Sequence, residues 1–305
     1  AATLASADII YLPLYLLLAL FLFWIRAIRW QLLLPSHLSL SINKLAYATI
    51  VGTFASCVLP LRAGEFVRPW VLSRWQPVSF AMGFASIVTE RVFDVLAMMV
   101  FLVAVLNHVD NAPFWVGAAA KALGSVALVI ALIMVLAYTR PASVLRYSEG
   151  FLDFLFGNRK PELRQKLGSM SAEFIGGLRS ISSVRELILI VLWSLVLWFF
   201  YSVMYQIMLL SLHQSASLWE ATAVNVFVAL AVAAPSAPGF LGTFQLGCIV
   251  ALTYVYGHTE EFSLAYSVLA HVLQVVPTVI VALIILKKEG LNFNDIRNSR
   301  SAAIS

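Results

Sequence analysis

Twice along this chain a long apolar stretch is interrupted by a proline and a glycine four residues apart. The first interruption reads Leu59-Pro60-Leu61-Arg62-Ala63-Gly64-Glu65, and the second Ala234-Pro235-Ser236-Ala237-Pro238-Gly239-Phe240. Proline has no amide hydrogen to give a helix and glycine admits a sharp turn, so a helix is expected to end at each site. Inside a bilayer, broken backbone must be buried in protein or line a polar cavity. Interruptions in corresponding halves of a membrane chain point to a transporter's binding site. Pro60, Gly64, Pro235, Pro238 and Gly242 are accordingly read as structural hinges.

The bilayer premise rests on composition. Hydrophobic residues make up 61% of the chain and charged residues 11%, against roughly 25% charged in soluble domains. A polytopic helical membrane protein is expected, with no segment left over for a soluble domain. The net charge of +5 sits in loops between apolar segments, without the basic faces and interleaved aromatics of a nucleic-acid groove, so no nucleic-acid partner is expected. Cys57 and Cys248 lie in apolar segments without metal-ligand spacing; neither a metal nor another cofactor is implied. Ile9–Ile25 lacks the basic lead of a signal peptide and is followed by Arg26 and Arg29.

A crossing needs about 20 apolar residues. Five segments meet this: 9–25, 78–106, 115–138, 187–211 and 262–286. Residues 44–59 and 66–74 flank the first break, and 219–234 and 240–255 flank the second; all are short. Basic residues follow the first crossing (Arg26, Arg29, Lys44) and the first break (Arg68, Arg74), fill the 139–186 loop with eight Lys/Arg, and close the chain. The 107–114, 212–218 and 256–261 loops hold no Lys or Arg. Basic loops stay cytoplasmic. These signs agree when each broken segment enters and leaves on one side: 44–74 as a re-entrant hairpin from the cytoplasm, and 219–255 as one from outside. The expected organisation is a single membrane domain over 1–305. A first half (1–114) and a second, inverted half (187–305) are joined by a linker crossing (115–138) and a cytoplasmic amphipathic loop (139–186). The alternative is a kinked span at each break. The C-terminus is expected in the cytoplasm, and the host membrane to be the inner membrane of a prokaryote. Trp30, Trp70 and Trp75 would mark the cytoplasmic interface, with Trp115 and Trp219 at the outer one, unless they are packing tryptophans. Within the long loop, Val144–Phe156 and Leu163–Ile181 have helical apolar periodicity. They read either as interfacial helices or as helices packed on the bundle's end.

Ionisable residues inside a membrane are costly and are functional candidates by default. Arg62, Glu65 and Arg68 cluster at the first break. Glu90, Arg91 and Asp94 lie mid-way along the 78–106 crossing, with Glu90 and Asp94 on one helix face. Arginine forks suit a phosphate head group, and the helix starts near Gly64 and Gly239 would direct free N–H groups at an anion. Arg62–Glu65 as a pin for the hairpin tip, and Arg91–Asp94 as an intrahelical pair, are the structural alternatives. Buried ion pairs stabilise poorly compared with apolar packing, which weakens that explanation. Gln245, one turn beyond the second break, reads as a polar lining residue. His271 reads as a proton relay, a head-group contact or a packing histidine.

These motifs carry a resemblance. Pro60-x-Arg62-x-Gly64-Glu65-x-x-Arg68, Glu90-Arg91-x-x-Asp94 and Pro235-x-x-Pro238-Gly239-x-x-Gly242-x-Phe244 resemble three ordered motifs of the flippase-like transmembrane domain of lysylphosphatidylglycerol synthetases. That domain belongs to the multiple peptide resistance factor and also occurs as stand-alone proteins. The likeness runs over nearly the whole chain. It implies movement of a polar or anionic lipid between leaflets, such as aminoacyl-phosphatidylglycerol or a polyprenyl-phosphate-linked lipid. It also implies a hydrophobic segment before Asp8–Leu34 and, in members that transfer aminoacyl groups, a soluble domain beyond Ser305. Relatives often carry arginine where this chain has His271.

A lipid translocase is the leading reading, its partners being membrane lipids and, in some settings, a separate lipid synthase. Without a Walker A motif there is no direct ATP drive. An intramembrane lipid-phosphate enzyme is the second reading, but Pro235-Ser236-Ala237-Pro238 lacks the histidine of the phosphatase sequence it superficially resembles. No catalytic motif is recognised. A scaffold that binds a partner synthase through residues 140–186 is the third.

Overall fold

The computed structural model describes residues 8–59, 64–109, 114–156, 161–179, 183–215, 217–233 and 237–291. Regular structure among them is helical throughout. In chain order the helices are α1 (Tyr11–Leu32), α2 (Ile42–Val58), α3 (Gly64–Trp75), α4 (Phe80–Leu106), α5 (Phe114–Thr139), α6 (Pro141–Phe156), α7 (Pro161–Arg179), α8 (Val184–Ser211), α9 (Leu218–Ala233), α10 (Thr243–Ile249) and α11 (Glu260–Lys288). A 3-10 turn at Pro238–Phe240 precedes α10, and a π-helical stretch, Val250–Val255, continues it. Three long helices open on hydroxyl caps. Ser79, Ser183 and Thr259 accept from the amides of Met82, Glu186 and Phe262, each at 3.2 Å, satisfying donors that a helix start leaves free.

Helices α1, α8 and α11, together with Pro238–Val255, are long and apolar enough to cross a bilayer. α4 has comparable length but carries Glu90, Arg91 and Asp94 along its middle. The chain is a multi-pass membrane protein.

Both sequence interruptions separate helices. α2 stops at Val58, and Leu59 is extended (φ −97°, ψ 145°), the conformation that a following proline imposes. At the second break Gly239 (φ 71°) and Gly242 (φ 84°) take left-handed conformations, and Phe240 joins them at φ 59°. A non-glycine residue there is strained, and such strain gathers at functional sites. Each break folds two legs against each other, α2 on α3 and α9 on α10. Glycine permits this closeness in both hairpins. A Cβ on Gly64 would stand 1.8 Å from the Gly52 carbonyl oxygen, and one on Gly247 would stand 2.5 Å from the Val228 Cα.

Contacts are exchanged between the two halves. α1 packs along α8; α2 of the first hairpin packs on α11, and α9 of the second packs on α4. One apolar core accordingly gathers Trp30, Leu45, Ile50 and Val71 with Ile285 and Leu286 from the far end of α11. The other gathers Met208, Ala223, Leu252 and Tyr266 with Tyr15 and Leu22 of α1. In the long loop, α7 packs on α4 and α6, burying Leu152 and Ile175, and Arg164 pairs with Asp153. Tyr147, Phe151 and Phe154 remain exposed on α6.

The main departure is at α1. The expected crossing ended at residue 25, with Arg26, Arg29 and Trp30 outside it; the helix instead continues to Leu32. Ala27, Ile28 and Leu32–Leu34 sustain the apolar run, and the charges find partners inside the protein rather than in water. Trp30 is fully buried and donates from Nε1 to Ser86 Oγ at 2.8 Å, so it does not mark an interface.

Candidate functional site

The polar centre is built on α4. Glu90 is fully buried and faces four guanidinium groups: Arg68 at 2.9 Å, Arg29 and Arg91 at 3.0 Å, and Arg26 at 3.4 Å. Asp94, one turn further on, holds Arg29 at 2.5 Å and Arg91 at 3.3 Å. Helical geometry makes the gathering local, since Arg26 and Arg29 share one face of α1 as Glu90 and Asp94 share one face of α4. Arg68 enters from the first turns of α3, its guanidinium 3.8 Å from the Trp30 ring centroid, a cation–π arrangement that supports a desolvated cation. Arg29 also donates to Ser194 Oγ of α8 at 3.1 Å.

Mutual pairing lowers the cost of burying these charges, but the guanidiniums outnumber Glu90 and Asp94 by two to one. Each arginine carries five donors, and the Nε atoms of Arg29, Arg68 and Arg91 are buried without a hydrogen-bond partner. The cluster is cation-rich and has unused donor capacity.

A cavity of about 380 Å³ opens beside it, within the usual range for small-ligand sites. One wall carries Arg26, Glu65, Arg68, Arg91 and Asp94, with Thr49, Thr53 and Ser56 of α2. The rest of the polar and aromatic lining is uncharged: Trp198, Tyr201 and Tyr205 of α8, Asn225 of α9, Gln274 of α11, and Phe240 and Phe244 around the second break. The Asn225 amide donates to the Trp198 carbonyl at 3.0 Å and to Ser202 Oγ at 3.2 Å, which fixes its orientation. Described residues flanking the two breaks come together nearby. The 3-10 turn packs on α2, and a Cβ on Gly239 would lie 3.4 Å from the Cys57 carbonyl oxygen.

Of the residues read from sequence as a site, Glu65, Arg68, Arg91 and Asp94 line this cavity, and Glu90 sits immediately behind them. Gln245, Gly239 and His271 are not in its lining. Gln245 accepts from the Gly242 amide at 2.8 Å and lies 3.1 Å from His271 Nδ1; it caps α10. His271 stacks on Phe244 with ring centroids 4.6 Å apart, so it backs a wall residue. Arg62, Pro60 and Pro235 lie outside the described residues. Sequence reasoning missed Arg26, Arg29, Tyr201, Tyr205 and Asn225. The signal for the arginines was the apolar run that resumes after Arg29; for Asn225 it was a lone amide amid apolar α9.

The sequence profile described as lysylphosphatidylglycerol synthase TM region matches residues 1–282, and the chain belongs to that family of membrane domains. No curated protein and no solved structure matched it.

Proposed function

We propose that this protein is a lipid translocase of the cytoplasmic membrane, in which the cavity holds a polar lipid head group while the acyl chains stay in the bilayer. The observation that carries this reading is a cation-rich cavity bounded by both broken hairpins at once. Family membership supports a lipid-handling role. Broken helices around a polar site are the usual construction of alternating-access carriers.

The exchange of contacts between the halves supports an inverted repeat. In that arrangement 44–74 dips from the cytoplasmic side, 219–255 dips from the outer side, and the C-terminus is cytoplasmic. Rocking of one half against the other would then open the cavity to each leaflet in turn.

The test is reconstitution in liposomes with fluorescent lipids of several head groups. Head-group movement that falls strongly in Arg91→Ala and Glu65→Ala is expected. Movement that persists in both variants would remove the cavity from the mechanism. Release of the head group without movement would make the protein an enzyme instead.

A further inference from the structure

Lipid head groups differ in charge, and the cavity wall discriminates among them. Arg29 and Arg68 have side chains 0% and 5% exposed, whereas those of Arg26 and Arg91 are 18% and 36% exposed. Arg26 also makes the longest ion pair on Glu90, 3.4 Å against 2.9–3.0 Å for the others, so it has the least to lose by turning to a ligand. The two α4 carboxylates are committed: Glu90 is ringed by four guanidiniums and Asp94 by two. An ammonium arriving at either would meet a neutralised carboxylate and several like charges. The second-half lining, with Tyr201, Asn225 and Gln274, offers hydroxyl and amide groups and no charge.

We infer that the cavity selects a monoanionic lipid phosphodiester whose remaining head group is uncharged and hydroxyl-bearing, with Arg26 and Arg91 as the contacting cations. Glu90, Asp94, Arg29 and Arg68 are then positioning residues that hold the two contacting arginines. Four arginines against Glu65, Glu90 and Asp94 leave positive charge in excess among the described residues, which an anionic phosphodiester offsets. A head group bearing an ester-linked lysine would add two ammonium groups to that excess. This inference rests on the reading of the cavity as a lipid head-group site, and it separates the chain from a cationic aminoacyl lipid.

The experiment is lipid competition on the purified full chain in detergent, read by native mass spectrometry, with phosphatidylglycerol, phosphatidylethanolamine and lysyl-phosphatidylglycerol as probes. Phosphatidylglycerol is expected to be retained about tenfold over each of the other two, the scale of one or two charge-assisted contacts. Arg26→Gln and Arg91→Gln should each level that preference, and Arg26→Lys should keep most of it. Equal or better retention of the lysyl lipid by the wild type, which needs no variant to fold, would overturn the inference. So would displacement of the lipid by an equal concentration of glycerophosphoglycerol, which would make the ligand a soluble phosphodiester. Parallel liposome assays keep the two readings apart. Selective retention without movement would remove the translocase and leave the selectivity standing. Movement of lysyl-phosphatidylglycerol in preference to phosphatidylglycerol would do the reverse.

Discussion

Glu90→Gln tests whether one carboxylate holds three helices together. Glutamine keeps the shape and removes the charge from contacts of 2.9–3.4 Å to Arg26, Arg29, Arg68 and Arg91. Asp94 still pairs with Arg29 and Arg91. Among the described residues, Glu90 is the sole carboxylate paired with Arg26 and Arg68, and Arg68 is 4% exposed. Leaving a buried charge without its partner costs about 3–5 kcal/mol. Asp94→Asn should cost less, about 1–2 kcal/mol, because both of its arginines keep Glu90. Glu90→Gln with Arg68→Met removes both members of the pair and should recover about 1–3 kcal/mol of the loss. Thermal unfolding of the purified variants in detergent reads the order: wild type highest, then Asp94→Asn, with the double variant above Glu90→Gln. A larger loss in Asp94→Asn, or a double variant as unstable as the sum of the two singles, would refute the hub.

Gly64→Ala must push α2 and α3 apart, since its Cβ would fall 1.8 Å from a carbonyl oxygen; unfolding assays should show a loss of about 1–3 kcal/mol or more. Gly117→Ala, with open space around it, should be neutral or stabilising by up to about 1 kcal/mol. Trp30→Phe loses the bond to Ser86 and about 1 kcal/mol, whereas Trp30→Leu also removes the ring under Arg68 and about 0.5–2 kcal/mol more. Single cysteines at His108 and at Arg140 should be labelled by an impermeant maleimide from opposite faces of oriented vesicles; labelling from one face would overturn the orientation drawn from loop charge.

The helices were legible because length and apolar runs determine them. The breaks were legible because proline and glycine act on the backbone locally, whatever the tertiary context. Charge was legible only by residue type. The same positive charge that marks a loop when solvated is tolerated in a membrane helix when a carboxylate on another helix meets it. Arg26 and Arg29 could be assigned only once Glu90 and Asp94 were seen opposite them, and that pairing lies across more than sixty residues of chain. Trp30 follows the same logic: its indole N–H is satisfied by Ser86 rather than by the interface. Gln245, read as a lining residue, accepts from the Gly242 amide at the strained turn, and His271, read as a relay, head-group contact or packing residue, stacks on Phe244 and meets Gln245 through Nδ1.

The charge distribution bears on how the site would open. All four guanidiniums and both partner carboxylates sit on α1, α3 and α4, in the first half. In the second half, the corresponding broken hairpin and long helix supply Phe244, His271 and Gln274, which carry no carboxylate or guanidinium. The ion-pair network reaches the second half through Arg29 and Ser194 at 3.1 Å. Under the proposed rocking, the ion pairs around Glu90 and Asp94 would stay within the first half, while the links given up between halves would be drawn from Arg29–Ser194, the Lys44–Glu289 ion pair at 2.5 Å and the bond from the Tyr15 hydroxyl to the Ala270 carbonyl at 3.2 Å. Ser194→Ala should therefore leave the network intact, lower stability by no more than about 1.5–3 kcal/mol, and leave lipid selectivity unchanged. If its selectivity fell as far as that of Arg91→Gln, the anion site would extend across both halves and the division of labour drawn here would be wrong.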